Sequence, residues 1–288
     1  MEVSIVIISK DERELEPTLD ALMAHDSVHD REIVVVDASG GRLADIAGAY
    51  PDILWIDFIP PAGSKQVTIP EQRNAGIAAA RGEVVVFVDA GCMPGGGWLD
   101  ALLDPIARGD ELVTVGGRYG SDDGRYLLRP DEAGYVRDAP TMNMAIHRRA
   151  IDRVGAFDEA FSYGSDVDFC WRAADAGVPI LMVTGADMRA NWGSARRQMR
   201  RAWQYGEARA RLYVKHRNRL REMPRHDPML LAYPLFLLGL PVALRHRSYL
   251  LLLAVPLWRL RGERPFLSLL DRFAYAAGAL VHLVRRAG

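Results

Sequence analysis

The stretch from Gln72 to Pro94, QRNAGIAAARGEVVVFVDAGCMP, constrains the fold more than any other. Arg73, Asn74 and Gly76 open a small-residue helix from Ile77 to Arg81, and Gly82 reads as its left-handed cap. Glu83 to Val88 is then an unbroken apolar run rich in Val and Phe, too short for a helix and suited to an interior parallel strand. Asp89 stands at the strand's carboxyl end, followed by Ala90, Gly91 and a turn closed by Pro94. In open α/β sheets that edge is where ligands bind. A carboxylate there either ligates a cation or caps its own turn, and the stretch alone leaves both readings open.

The same grammar runs through the first two thirds of the chain. Val3 to Ile8 reads as a first buried strand ending at Ser9-Lys10-Asp11, with Leu15, Leu19, Leu22 and Met23 at helical spacing behind it. Glu32 to Val36 is a second buried strand, stopping at Asp37 before an Ala-Ser-Gly-Gly turn. Leu43 to Tyr50 is a short helix, Ile53 to Phe58 a third strand, and Pro60 to Pro70 an irregular stretch carrying Lys65. Trp98 to Ala107 and Glu111 to Val115 continue the alternation, which predicts a mixed, mostly parallel sheet flanked by helices. The first strand-to-helix turn has no GxGxxG, so a dinucleotide cradle is excluded there. Acids end the second and fourth strands instead.

Arg118 to Pro140 is polar and reads as a surface loop. Thr141 to Ile146 is strand-like, Arg148 to Val154 a short helix, and Tyr163-Gly164-Ser165 leads into a helix that ends at Gly177. Asp166 and Asp168 open that helix, where acids are favoured by the dipole, and Ser165 or Asp166 suits its cap. Capping and chemistry both fit them. Val178 to Val183 is a further strand.

Charge splits the chain in two. Residues 1–185 carry 16 basic and 31 acidic side chains, whereas residues 186–288 carry 20 basic and 6 acidic ones. Such asymmetry points the second part at an anionic partner, nucleic acid or membrane. Ser194 to Arg221 is helical and arginine-rich with interleaved Trp203, Tyr205 and Tyr213; a solvated surface helix is the alternative. Beyond it, Pro228 to Leu244 and Ser248 to Trp258 are free of charge, and Phe266 to Val284 is interrupted by Asp271 and Arg272. Arginines flank each run. Seventeen residues with three prolines are at the low end for crossing a bilayer, and eleven are too few. The expectation is therefore helices lying in one leaflet with arginines at the headgroups. A transmembrane hairpin and a soluble helical subdomain are the alternatives. Nucleic acid is disfavoured, because phosphate binding has no need of long aliphatic runs. Two domains are expected, 1–225 and 226–288. Cys92 and Cys170 have neither metal-ligand spacing nor a disulfide framework, and Val3 to Ile8 reads as core rather than an export signal, so a reducing cytoplasm is the expected side of the membrane.

Four segments in order, VSIVIISKDE, EIVVVDASGG, QRNAGIAAARGEVVVFVDAG and MNMAIHRRAIDRVGAFDEAF running into YGSDVDFCWRAADAG, resemble glycosyltransferase family 2. The resemblance covers about residues 1–215 and implies a GT-A fold, a nucleotide-sugar donor and inverting transfer. By that resemblance Ser9 lines the nucleotide pocket, Asp37 contacts base or ribose, and Arg73 and Asn74 hold the nucleotide and its phosphates. Asp89 matches the first acid of the family's DxD motif, which meets the donor ribose and a divalent cation, Mg²⁺ or Mn²⁺. Asp166 matches the catalytic acid. Two departures accompany it. Gly91 replaces the second DxD acid, and Asn191, in ANWGS, stands where the family often has a histidine ligand. The apolar tail adds the expectation of a lipid-linked or glycan acceptor at a membrane surface. A degenerate nucleotide-binding scaffold and a transferase for a soluble acceptor are the competing readings.

Overall fold

A computed structural model describes residues 1–60, 68–117, 119–120, 133–190, 195–259 and 265–287. Lys65, most of the loop expected from Arg118 to Pro140, and Asn191 lie outside the described residues. The chain divides into two compact units, Met1–Asn191 and Trp192–Gly288. The basic helix groups with the apolar tail in the second of these units.

The first unit runs β1 (Val3–Ser9), α1 (Leu15–Met23), β2 (Arg31–Asp37), α2 (Ala44–Ala49), β3 (Leu54–Asp57), α3 (Ile69–Ala79), β4 (Val84–Asp89), β5 (Cys92–Pro94), α4 (Trp98–Ala107), β6 (Val113–Gly116), β7 (Tyr119–Gly120) and β8 (Gly134–Val136). It continues with β9 (Asn143–His147), α5 (Arg148–Val154), α6 (Ser165–Asp175), β10 (Ile180–Val183) and β11 (Met188–Ala190). Eight strands form one sheet in the order β3-β2-β1-β4-β9-β6-β10-β8. The pairs β1/β2, β1/β4, β2/β3 and β6/β10 are parallel, while β9 runs antiparallel between β4 and β6, and β8 antiparallel to β10. The expected mixed, mostly parallel α/β sheet is what forms.

The continuous apolar strands explain the centre. Val84, Val85, Val86, Phe87 and Val88 are all buried, each contributing about 1.5–3 kcal/mol on leaving water. Strand order reverses between β1 and β4, because β1 to β3 build outward one way and the chain then crosses back. That makes the carboxyl ends of β1 and β4 a topological switch point, the place where open α/β sheets bind their ligands.

Two local expectations need correction. The helix before β4 begins at Ile69, one to two turns earlier than expected, because Pro70 sits in its first turn, where a missing N–H costs nothing. Arg73 and Asn74 are therefore mid-helix. Gly82 is not a left-handed cap; the helix ends at Ala80 in extended conformation. A side chain on Gly82 would put Cβ 2.6 Å from the Ser4 backbone nitrogen, so glycine is required by close approach of the chain to β1. Gly76 has a similar origin: its Cβ would lie 2.3 Å from Val6 Cγ1, so its absence lets α3 settle directly on the sheet.

A second sheet of three short strands, in the order β5-β11-β7, takes over where β4 ends. The chain leaves Asp89, turns through Gly91 and enters β5, which pairs antiparallel with β11 in the register Ala190↔Cys92.

The second unit is helical: α7 (Ala195–Lys215), a 3₁₀ turn (Arg217–Arg219), α8 (Met223–His226), α9 (Met229–Leu238), α10 (Leu240–Arg245), a 3₁₀ stretch (Arg247–Leu253), α11 (Ala254–Arg259) and α12 (Pro265–Ala287). The seventeen-residue apolar run is broken at Gly239 into α9 and α10, so it spans no bilayer as one helix. Only α12 contains a segment, Phe266–Arg285, long and apolar enough to cross a membrane among the described residues.

Candidate active site

The switch point is built from the ends of β1, β2 and β4. Gln72 on α3 is buried and donates through Nε2 to the carbonyls of Ser9 and Val36, both at 2.9 Å. One side chain thus holds β1 and β2 at their carboxyl ends. Ser9 is buried, and its Oγ has no hydrogen-bond partner among the described residues. A buried hydroxyl left unpaired at a ligand edge is costly unless something else meets it. Asp37 is buried beside it, with Oδ1 accepting from Ser39 Oγ at 2.5 Å and from the Ser39 N–H at 3.2 Å. Burial pushes the Asp37 carboxyl above its ordinary range, against the pull of the two Ser39 hydrogen bonds, and Asp57 and Asp11 add to the rise. Ser39 Oγ also accepts from the Asp11 N–H at 2.7 Å. Asp11 has φ +60° and is paired with Arg42 at 2.6 Å, so the loops after β1 and β2 are tied together.

Asp89 ends β4 with its side chain 45% exposed. Arg73 Nη2 lies 3.7 Å from its Oδ1, and the Arg73 side chain is nearly buried. The guanidinium also stands 5.6 Å from the Phe157 ring centroid. A mostly desolvated cation beside a half-open carboxylate is a suitable floor for phosphate. Gly91, two residues on, has φ +86° and donates its N–H to Thr18 Oγ1 at 2.9 Å. That backbone region favours glycine, which accounts for the missing second acid. Among the described residues no group of three His, Cys, Asp or Glu side chains is placed to hold a metal. A hard cation that takes most of its ligands from phosphate and water, with Asp89 as its protein anchor, fits this donor set.

Phe157 links β4, which ends at Asp89, to α6, whose first turn holds Asp166. Its ring lies 5.4 Å from Phe87 and 5.3 Å from Phe169. Phe87 is two residues before Asp89 and projects from the same face of β4; Phe169 is three residues after Asp166 and shares its face of α6. The aromatic cluster therefore packs α6 against β4 through the turn that carries Phe157. Asn74 fixes this arrangement. Its Nδ2 donates to the Phe157 carbonyl and to Glu159 Oε1, both at 2.9 Å, and its Oδ1 accepts from the Phe157 N–H at 3.0 Å. The amide is thus committed to the turn that leads to α6.

Asp166 lies half-buried in the first turn of α6, and its Oδ1 accepts from the Val167 N–H at 2.9 Å. The cap position itself belongs to Gly164 at φ +80°, not to Ser165 or Asp166. Asp168 has the structural role: fully buried, it pairs with Arg172 Nε at 2.8 Å. Arg172 in turn donates to the carbonyls of Val154 and Ala156, at 2.6 and 2.7 Å. Thr141 Oγ1, in the segment entering β9, is buried without a partner among the described residues. Burial pushes both cysteine thiols up, which keeps them protonated. Sequence reasoning missed Gln72, Ser39 and Phe157. Gln72 and Ser39 stand inside segments singled out above, the Gln72–Pro94 stretch and the Ala-Ser-Gly-Gly turn, but nothing local marks their tertiary roles.

Residues 4–165 match the profile described as "Glycosyl transferase family 2"; Asp166 is the next residue. Two sequences named pre-mycofactocin glycosyltransferase, both from Mycobacterium tuberculosis, are 29% identical over 241 residues, covering 73% of this chain and 48% of theirs. The chain therefore spans about half the length of these curated relatives. Among solved structures, the mannosyltransferase PcManGT from Pyrobaculum calidifontis, in complex with GDP-Man and Mn²⁺, is similar with a TM-score of 0.68 at 18% identity, covering 99% of this chain and 87% of that one. GalNAc-T7 with UDP, GalNAc and Mn²⁺ is similar with a TM-score of 0.55 at 16% identity, covering 73% and 51%. At such identities the likeness is one of fold.

Proposed function

The chain belongs to glycosyltransferase family 2, and on that premise we propose that it moves a sugar, with inversion, from a nucleoside diphosphate donor to a hydroxyl of a lipid-linked glycan at a membrane surface. The observation that supports this reading is the pairing of half-open Asp89 with nearly buried Arg73 at the switch point, beside a Phe157 ring that packs between Phe87 of β4 and Phe169 of α6. Nucleoside diphosphates in the two similar structures support the donor class.

In this reading Asp166 takes the proton of the acceptor hydroxyl. The freed oxygen pair forms a bond to the anomeric carbon as the bond to the diphosphate breaks on the opposite face. Negative charge grows on the departing diphosphate, and Arg73, 3.7 Å from Asp89, is a cation of this chain suited to meet it. A divalent cation anchored by Asp89 supplies further charge stabilisation when bound; Mn²⁺ in both similar structures supports it. Ser9 and Asp37 hold the nucleoside; the Ser9 hydroxyl, buried without a hydrogen-bond partner among the described residues, supports this role. Asn74 positions the turn before α6.

A correctly placed general base contributes about 10²–10⁴ in rate. Asp166→Asn is therefore expected to lower transfer by that factor while donor binding, read by thermal stabilisation with a nucleotide-sugar panel, persists. Unchanged turnover would remove Asp166 from the mechanism. The relatives' name favours a second reading, in which the acceptor is of the pre-mycofactocin type and the tail serves only as a platform. Comparing transfer to extracted membrane lipid and to such a compound separates the two.

A further inference from the structure

The second unit holds a cavity of about 550 Å³, within the size range of small-ligand sites. It exists because the apolar tail does not form a straight helix. The run breaks at Gly239, where a Cβ would lie 2.2 Å from the Tyr249 hydroxyl. Glycine there lets Tyr249 fold back across α9, where its ring stacks on Phe236 at 5.1 Å and its hydroxyl donates to the Phe236 carbonyl at 2.9 Å. The walls are thus apolar and aromatic, with Tyr249's polar end already satisfied. The lining also includes Arg272 of α12, whose Nη1 lies 3.4 Å from the Tyr233 hydroxyl. Leu235, Leu252 and Val255 also line it and are 65%, 57% and 57% exposed.

We infer that this cavity takes the hydrocarbon chain of a single-chain amphiphilic phosphate, with the phosphate on Arg272. The assignment rests on the membrane-surface reading above. Exposed apolar side chains on the lining mean that the natural route in is from hydrocarbon rather than from water. A guanidinium in an otherwise apolar lining calls for an anion, and phosphate matches its paired donors. Together they describe one molecule, apolar along its length and anionic at one end, as a lipid-linked acceptor is.

Titration calorimetry of the full chain with farnesyl phosphate tests this. Saturable one-site binding is expected, weakened by about tenfold or more in Ala232→Trp, which fills the cavity from α9, and in Arg272→Gln. Arg272→Lys is expected to bind better than Arg272→Gln. Farnesol is expected to bind more weakly, and inorganic phosphate not to compete. Wild-type affinity in both Ala232→Trp and Val255→Trp, the latter blocking from α11 should the former misfold, would overturn the cavity assignment. Equal affinity for dihexanoyl phosphatidylglycerol would overturn the single-chain assignment. Vesicle flotation run in parallel separates the two readings. Flotation retained without farnesyl phosphate binding sinks the cavity alone, whereas binding retained without flotation sinks the membrane reading alone.

Discussion

Two side chains carry opposite pH signatures. His147 caps α5, its Nδ1 accepting from the Arg149 N–H at 3.1 Å. Burial first, and the Arg149 charge second, hold its pKa below the ordinary 6.5. The folded state therefore favours neutral imidazole. Its contribution is full above pH 6.5 and is lost as pH falls through the lower folded value. Protonation also places a donor on Nδ1 where the helix needs an acceptor. A cap of this kind is worth about 1 kcal/mol, so melting temperature should fall more between pH 7 and 5 in the wild type than in His147→Asn, which keeps a cap that does not titrate. Asp37 works the other way. With its folded pKa raised above 3.8 by burial, the ionised form opposes folding, and stability is lost as pH rises through that folded value. Asp37→Asn should melt higher than the wild type at pH 7, the difference closing toward pH 4. If Asp37 holds the nucleoside, the same variant loses a charged hydrogen bond worth about 1.5–3 kcal/mol. Nucleotide affinity should then fall roughly ten- to a hundredfold while stability rises, a divergence that a purely structural aspartate would not produce.

At the scale of elements, the site depends on how α3, β4 and α6 are held in register, and Asn74 is the clamp. Asn74→Ala removes three hydrogen bonds to the Phe157–Glu159 turn and should cost about 1–3 kcal/mol of stability. Because the turn leads on to α6 while its Phe157 ring also lies 5.6 Å from the Arg73 guanidinium, kcat should fall by a larger factor than donor KM rises; a rise in KM with steady kcat would instead put Asn74 on the nucleotide. This role was not legible in the sequence, since it joins residues more than eighty positions apart. What was legible follows from local physics. β1, β2 and β4 are continuous apolar runs ended by Ser9, Asp37 and Asp89, and only a buried strand explains such runs. α4 and α5 carry their boundaries in their periodicity. The start of α3 is hidden because Pro70 suits the end of an irregular stretch as well as the first turn of a helix. The role of Gly82 is hidden because a close approach to Ser4 is a tertiary fact, and glycine looks the same in sequence whether it serves conformation or space. The insertion of β9 antiparallel between β4 and β6 was equally hidden, because strand direction is set by partners that lie elsewhere in the chain.

At the scale of the whole molecule, large exposed apolar side chains concentrate in the second unit, among them Leu238, Leu244, Leu251, Trp258 and Phe266. A patch of that kind is a contact surface. On the proposed membrane-surface reading, how this unit would meet a bilayer follows from the packing of α7 on α12. A Cβ on Gly206 would lie 1.8 Å from the Tyr275 carbonyl oxygen, and one on Gly278 2.1 Å from that of Trp203, so the two helices touch backbone to backbone. α12 is long enough to span, but it carries Asp271 and Arg272 and is bound to a helix with Arg196, Arg197, Arg200, Arg201, Arg209, Arg211 and Lys215. Taking an arginine to the centre of a bilayer costs about 2.5–3.5 kcal/mol on insertion scales. Crossing by α12 would therefore either drag α7 into hydrocarbon or strip it away. Lying in one leaflet avoids both, with apolar side chains immersed and arginines at the phosphates. Flotation with vesicles containing anionic lipid should then capture the protein, and Leu251→Asp with Trp258→Asp should abolish capture at every salt concentration. Replacing Arg196, Arg197, Arg200 and Arg201 by Gln should weaken capture only at low salt, where surface charges are unscreened. In inverted membrane vesicles a C-terminal tag should be cleaved by added protease together with the first unit. Protection of the tag while the first unit is digested would show that α12 crosses after all, and the acceptor would then have to be sought on a different footing from a lipid met in the plane of one leaflet.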